Sequence, residues 1–89
     1  MLNPQAKLNP KLFDKAVEQV ATRDGYGKGL VEAGEKDPRV VVLCADLTES
    51  TRTLWFKEKF PERFIEIGVA EQNLAAVASG LANYGKIPF

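Results

Sequence analysis

The apolar run Val40 to Ala45 (VVVLCA) limits what this chain can fold into more than any other feature. A strand with one face in water alternates apolar and polar positions. A run without alternation, rich in β-branched residues, is buried on both faces and belongs to a parallel sheet covered by helices. The flanking segments agree. From Thr22 the chain reads as a helix ending near Gly34 to Lys36, with Thr22 as N-cap, Asp24 in the first turn, and Tyr26, Leu30, Val31 and Ala33 facing inward. Gly25, Gly27 and Gly29 weaken it by about 1 kcal/mol each relative to Ala, so close packing is expected there. Asp37-Pro38 ends it. Asp46 to Ser50 reads as a polar loop and Thr51 to Phe60 as a helix stopped by Pro61. Phe64 to Ile67 reads as a second strand. Glu71 to about Tyr84 reads as a long helix with Gly85 at its C′ position, and Ile87-Pro88-Phe89 as the start of a third strand.

Helix, strand, helix, strand, helix, strand is the order of βαβ units. The expected fold is therefore α/β, a partial parallel sheet with helices on both faces. Three strands leave two open edges, and a chain of 89 residues buries only roughly 60–65% of its unfolded surface. We therefore expect residues 21–89 to be an incomplete, truncated domain, preceded by an arm over residues 1–20 that packs on something else. In the arm, Pro4 and Pro10 each follow an Asn and favour turns. Leu12 to Val20 has the spacing of a short amphipathic helix, with Leu12, Phe13, Ala16, Val17 and Val20 on one side.

Composition excludes several classes of function. Twelve Lys and Arg balance twelve Asp and Glu, with six of each sign on either side of Pro38, so no basic patch points to nucleic acid. No apolar run approaches a membrane span, and no signal-peptide core is present, so a soluble, cytoplasmic protein is expected. One cysteine and no histidine leave no disulfide framework, no His-based triad and no multi-cysteine metal site within this chain.

In open α/β sheets ligands bind beyond the carboxyl ends of the strands. Two segments lie there: Ala45-Asp46-Leu47-Thr48 and Gly68-Val69-Ala70-Glu71-Gln72-Asn73. If their strands are neighbours, Asp46 and Glu71 occupy adjacent rims of one crevice, and carboxylates beside a helix start suit a site that binds or exchanges a proton. Plainer roles exist for both: Glu71 offsetting a helix dipole, worth about 0.3–1 kcal/mol, and Asp46 closing a turn. Cys44 reads as a buried small hydrophobe, and Trp55 and Phe56 as packing residues. Arg52 and Arg63 could meet phosphate, though exposed arginines rarely do. The small residues Ala75, Ala76, Ala78, Ser79, Gly80 and Ala82 give the last helix a smooth face for close approach to a sheet or another subunit.

Four stretches, in order, resemble the transketolase family at the start of its pyrimidine-binding domain. They are TRDGYGKGL from Thr22, VVVLCADLT from Val40, FPERFIEIGVAEQN from Phe60, and ASGLA from Ala78. The likeness is greatest to the C-terminal subunit of split transketolases, with deoxyxylulose-phosphate synthase, which shares the Ala-Glu-Gln loop, a near second. The resemblance implies dependence on thiamine diphosphate and a divalent cation, magnesium or calcium, and transfer of a two-carbon ketol unit between sugar phosphates. It implies that Glu71 hydrogen-bonds N1′ of the aminopyrimidine, promoting the imino tautomer whose nitrogen removes the thiazolium C2 proton. It also implies that Asp46 and Leu47 line the cofactor. The implied partners are an N-terminal, diphosphate-binding subunit and a second pyrimidine domain in a homodimer.

Departures from the family pattern are plain. Ala70 and Gln72 flank Glu71 where long single-chain transketolases carry Arg and His, and the Gly-Asp-Gly…Asn motif that holds diphosphate and metal is absent. The chain is expected to supply one wall of a site and to be inactive alone. The alternative from another class is a non-catalytic module that docks on a subunit through its open sheet edges and smooth helix.

Overall fold

A computed structural model describes residues 2–89. Its centre is a three-stranded parallel sheet in the order β2-β1-β3, formed by β1 (Val40–Cys44), β2 (Phe64–Glu66) and β3 (Ile87–Pro88). Val42, Leu43 and Cys44 pair with Phe64, Ile65 and Glu66, while Val40 and Val41 pair with Ile87 and Pro88. Every residue of β1 is buried, as a strand with neighbours on both edges and helices over both faces must be. Pro88 sits on the outer strand, where the N–H groups of Ile87 and Phe89 donate to Arg39 and Val41 of the central segment and Pro88 has no ladder bond to lose.

The topology follows from handedness. The crossover from β1 to β2 moves one way along the sheet, and the crossover from β2 to β3 returns past β1. Two right-handed crossovers in opposite directions place their helices on opposite faces. The first crossover carries α2 (Thr48–Thr51) and α3 (Leu54–Lys59), followed by a single 3-10 turn at Pro61–Arg63. The second carries α4 (Glu71–Asn83), which touches β3 and β1. The N-terminal helix α1 (Thr22–Lys36) joins α3 on its face of the sheet. Leu30, Val40, Val42 and Phe56 make the core there, with Ala33, Phe60, Phe64 and Ile87 packed around them.

Glycine sets the spacing between α1 and α3. A methyl at Gly27 would lie 2.6 Å from Arg52 Cβ and Trp55 Cε3, and one at Gly34 would lie 2.7 Å from Phe56 Cε2. Gly25 and Gly29 face open space, so the close packing expected of the three glycines holds only at Gly27. The buried positions of α1 are Gly27, Leu30 and Gly34, whereas Tyr26 is 42% exposed and Val31 and Ala33 are half-buried. The inward face is thus rotated toward the glycines from the one periodicity predicts. Thr22 is the first helical residue rather than the cap, which is Ala21 and makes no side-chain bond.

Three further expectations are corrected. Leu12 to Val20 is not helical: the Asp14 carboxylate accepts the Ala16 N–H, and isolated three-residue turns from Asp14 to Lys11 and from Val17 to Asp14 take donors a helix would use. Leu2, Leu8 and Phe13 are exposed, so residues 2–20 pack little on this chain. The helix expected over Thr51 to Phe60 starts only at Leu54, and a separate short helix, α2, ends at Thr51, because Arg52 between them adopts a left-handed conformation with φ of 66°. Arg52 is held there by Asp24, whose carboxylate accepts its Nε–H at 2.7 Å, and by the Glu49 carbonyl at 2.9 Å. That same bond from Arg52 holds the Asp24 carboxyl below its ordinary range. Asp46 to Ser50 is only partly a loop, since α2 begins at Thr48.

Candidate functional site

Both candidate segments leave the sheet at the same edge, the carboxyl ends of adjacent strands. After β1 the chain passes through buried Ala45 and turns at Asp46, which has φ of 59°. Leu47 follows, half exposed, its N–H donating to Cys44 Sγ at 3.3 Å. Thr51 closes this turn by donating its hydroxyl to the Leu47 carbonyl at 2.7 Å. After β2, the Ile67 N–H donates to the Cys44 carbonyl at 2.9 Å. The chain then turns at Gly68, whose φ of 81° is natural only to glycine, and Ala70 caps α4. Glu71 is the first residue of that helix, where a carboxylate complements the dipole.

Concavities line this edge. A cleft of about 180 Å³ lies among Tyr26, Leu43, Cys44, Leu47, Thr51 and Leu74. Burial pushes the Tyr26 phenol above its ordinary pKa, with nearby Cys44 adding to the shift. A more open depression of about 450 Å³ is lined by Ala70 to Asn73, and another of about 380 Å³ runs along Asp46 to Ser50. The strands are neighbours, as the shared crevice required, but Glu71 and Asp46 open onto separate depressions. What lies in one cleft is Leu47 and Leu74, one residue from each loop-and-helix segment.

Glu66 ties the two segments together. Its Oε1 accepts the Asp46 N–H at 2.7 Å and the Gly68 N–H at 2.8 Å. Sequence reasoning missed it. The bond to Gly68 is a two-residue local pattern that an acidic residue before a glycine turn could have signalled, but the bond to Asp46 spans twenty positions and is invisible in the sequence. Tyr26, expected to face inward, lines the cleft instead. Arg52 and Arg63 are engaged within the chain: Arg63 donates to the carbonyls of Gly34, Asp37 and Val40 and stacks on the Phe60 ring 4.0 Å away.

The family described as "Transketolase, pyrimidine binding domain" matches residues 18–89. The chain belongs to this family. A Methanocaldococcus jannaschii protein described as a transketolase C-terminal section is 55% identical to this transketolase-family chain over 67 residues, 75% of this chain and 21% of that protein. The 1-deoxy-D-xylulose-5-phosphate synthase of Dictyoglomus thermophilum is 44% identical over 63 residues, 71% of this chain and 10% of that enzyme. A solved structure titled as a split-gene transketolase, an inactive β4 tetramer, superposes with a TM-score of 0.72 at 57% identity, covering 81% of this chain and 24% of its own. This transketolase-family chain thus spans a quarter or less of the proteins it matches. The α/β fold and kinship to thiamine diphosphate enzymes follow. No helix among the described residues is long and apolar enough to cross a membrane.

Proposed function

We propose that this chain forms one wall of the active site of a thiamine diphosphate-dependent transketolase, with Glu71 holding a proton at a ring nitrogen of the cofactor's aminopyrimidine. The observation that carries the reading is the place of Glu71: first residue of α4, beside a depression at the carboxyl edge of the sheet, in a chain of this family. The residues present suit the aminopyrimidine end of the cofactor. A carboxylate serves a ring nitrogen, and Leu74, three residues along α4 from Glu71, belongs to the neighbouring apolar cleft with Leu43 and Leu47. No such set exists among the described residues for the diphosphate. Among the described residues no three His, Cys, Asp or Glu side chains converge, and Arg52 and Arg63 are committed elsewhere. We assign that end of the cofactor, with magnesium or calcium, to a diphosphate-binding partner subunit.

When bound, thiamine diphosphate supplies the chemistry that breaks and remakes a carbon–carbon bond as a two-carbon ketol unit passes between sugar phosphates. Glu71 orients the ring and keeps one proton in place. Leu47 excludes water from its face, and Asp46 shapes the rim. Glu71 is exposed in this chain, so a partner surface must close over it before the carboxylate works in a dry setting, where charge interactions are far stronger than in water.

The test is Glu71→Gln in the full-length chain paired with its diphosphate-binding subunit. Turnover should fall by about 10²- to 10⁴-fold, the range general acid–base groups contribute, and turnover near that of the parent overturns the role. The 44% identity to a 1-deoxy-D-xylulose-5-phosphate synthase supports that enzyme as the second reading. The product separates them: 1-deoxy-D-xylulose 5-phosphate in one case, exchange of two-carbon units between sugar phosphates in the other.

A further inference from the structure

We propose that Glu66 is a positioning residue, one carboxylate oxygen fixing the loop that carries Asp46 and Leu47 against the loop that leads into Glu71. The inference rests on the role given to Glu71 above and concerns what holds Glu71 in place. The sheet itself cannot do it. The last paired residues are Cys44 and Glu66, and the last backbone bond between the two segments is Ile67 N–H to the Cys44 carbonyl. Beyond it, among the described residues, the Glu66 carboxylate makes the sole hydrogen bonds that join the Asp46 turn to the Gly68 turn.

Both donors sit where the backbone is left-handed, Asp46 at φ 59° and Gly68 at φ 81°. An L residue such as Asp46 enters that region at a cost and stays when something outside the turn holds it. The two N–H groups converge on one oxygen at 2.7 and 2.8 Å, the short range of charge-assisted bonds. A single acceptor thus sets the conformation of both turns and the distance between them. Gly68 is three residues from Glu71, so a loosened turn there moves the start of α4.

The experiment uses the full-length chain paired with the diphosphate-binding subunit and loaded with thiamine diphosphate. Glu66→Ala removes the acceptor, and Glu66→Val removes it while introducing a β-branched, strand-forming side chain, which guards against a fold defect at the end of β2. Glu66→Gln keeps an acceptor oxygen without the charge. In Ala and Val variants, hydrogen exchange over residues 45–49 and 67–70 should quicken by about 10-fold or more, as expected when bonds to a charged group are lost. Turnover should fall by about 10²-fold, the effect of a misplacement near 1 Å, with the KM for the sugar phosphate donor little changed. Glu66→Gln should recover most of both. Added to Glu71→Gln, Glu66→Ala should cost little more, because it acts through Glu71. Unchanged exchange in the Ala and Val variants, a Gln variant as impaired as Ala, a loss confined to KM, or a full loss that persists without Glu71 each overturns the proposal. Normal turnover in Glu71→Gln alone would instead overturn the reading of Glu71, and the exchange rates would still decide what Glu66 holds.

Discussion

An added methyl at Gly34 meets Phe56 and Phe60, the tilted aromatic pair whose centroids are 5.0 Å apart, and neither ring can retreat from the core without opening it. An added methyl at Gly29 meets nothing. The same chemical change should therefore have opposite signs. Gly34→Ala should destabilise the chain by about 1–3 kcal/mol, the usual cost of overpacking. Gly29→Ala should stabilise it by about 0.5–1 kcal/mol through a less flexible unfolded chain and better helix propensity. Urea denaturation of the two variants beside the parent measures both, and equal shifts in midpoint would refute the distinction. The sequence presents these glycines alike. Only the docking of α3 separates them, because the residues that press on Gly27 and Gly34 lie some twenty to thirty positions away.

Arg63 joins three elements. Its guanidinium donates to the carbonyls of Gly34 in the last turn of α1, of Asp37 just beyond it, and of Val40 at the start of β1, while it stacks on Phe60. A cation among the free carbonyls at a helix C-terminus opposes the dipole and satisfies acceptors that have no intrahelical partner. Arg63→Lys keeps the charge but loses the planar fork and the stacking, so it should still cost about 1–2 kcal/mol, and Arg63→Ala about 2–3 kcal/mol. A lysine variant with the parent's stability would show that charge alone suffices. Which elements form was legible locally. The unbroken run of β1, Gly85 after α4 and Ile87 after it are legible in the sequence, since burial on both faces and a left-handed C′ glycine leave marks in adjacent residues. The break between α2 and α3 was not legible. It depends on Arg52 reaching back to Asp24 across 28 positions, and no spacing rule encodes that pair. The candidate site divides in the same way: Glu71 and Asp46 are legible as residues at strand ends, whereas the bond from Asp46 to Glu66 exists only once β1 and β2 pair.

Burial is uneven across the chain, and the unevenness says where its weakest part lies. The face of the sheet under α1 and α3 holds the buried core, with Val42 and Phe56 fully enclosed. On the other face α4 has no buried residue, although Leu74, Val77 and Leu81 are half-buried along it and Val69 and Tyr84 beside its ends are largely exposed. A 13-residue helix is close to marginal in water by itself and draws most of its stability from packing an apolar face. The amides of α4 in the isolated chain should therefore exchange about 10²-fold or more faster than those of β1, which is bonded on both edges and covered on both faces. The small-residue surface of α4 allows close approach by another backbone. If it is covered in an assembly with the diphosphate-binding subunit, the exchange of α4 should slow toward that of β1 while β1 changes little. Protection of α4 equal to that of β1 in the isolated chain would mean that its present contacts with β1 and β3 suffice. Protection that does not rise in the assembly would mean that the partner meets this chain elsewhere and that the start of α4, with Glu71, is not where the two surfaces close.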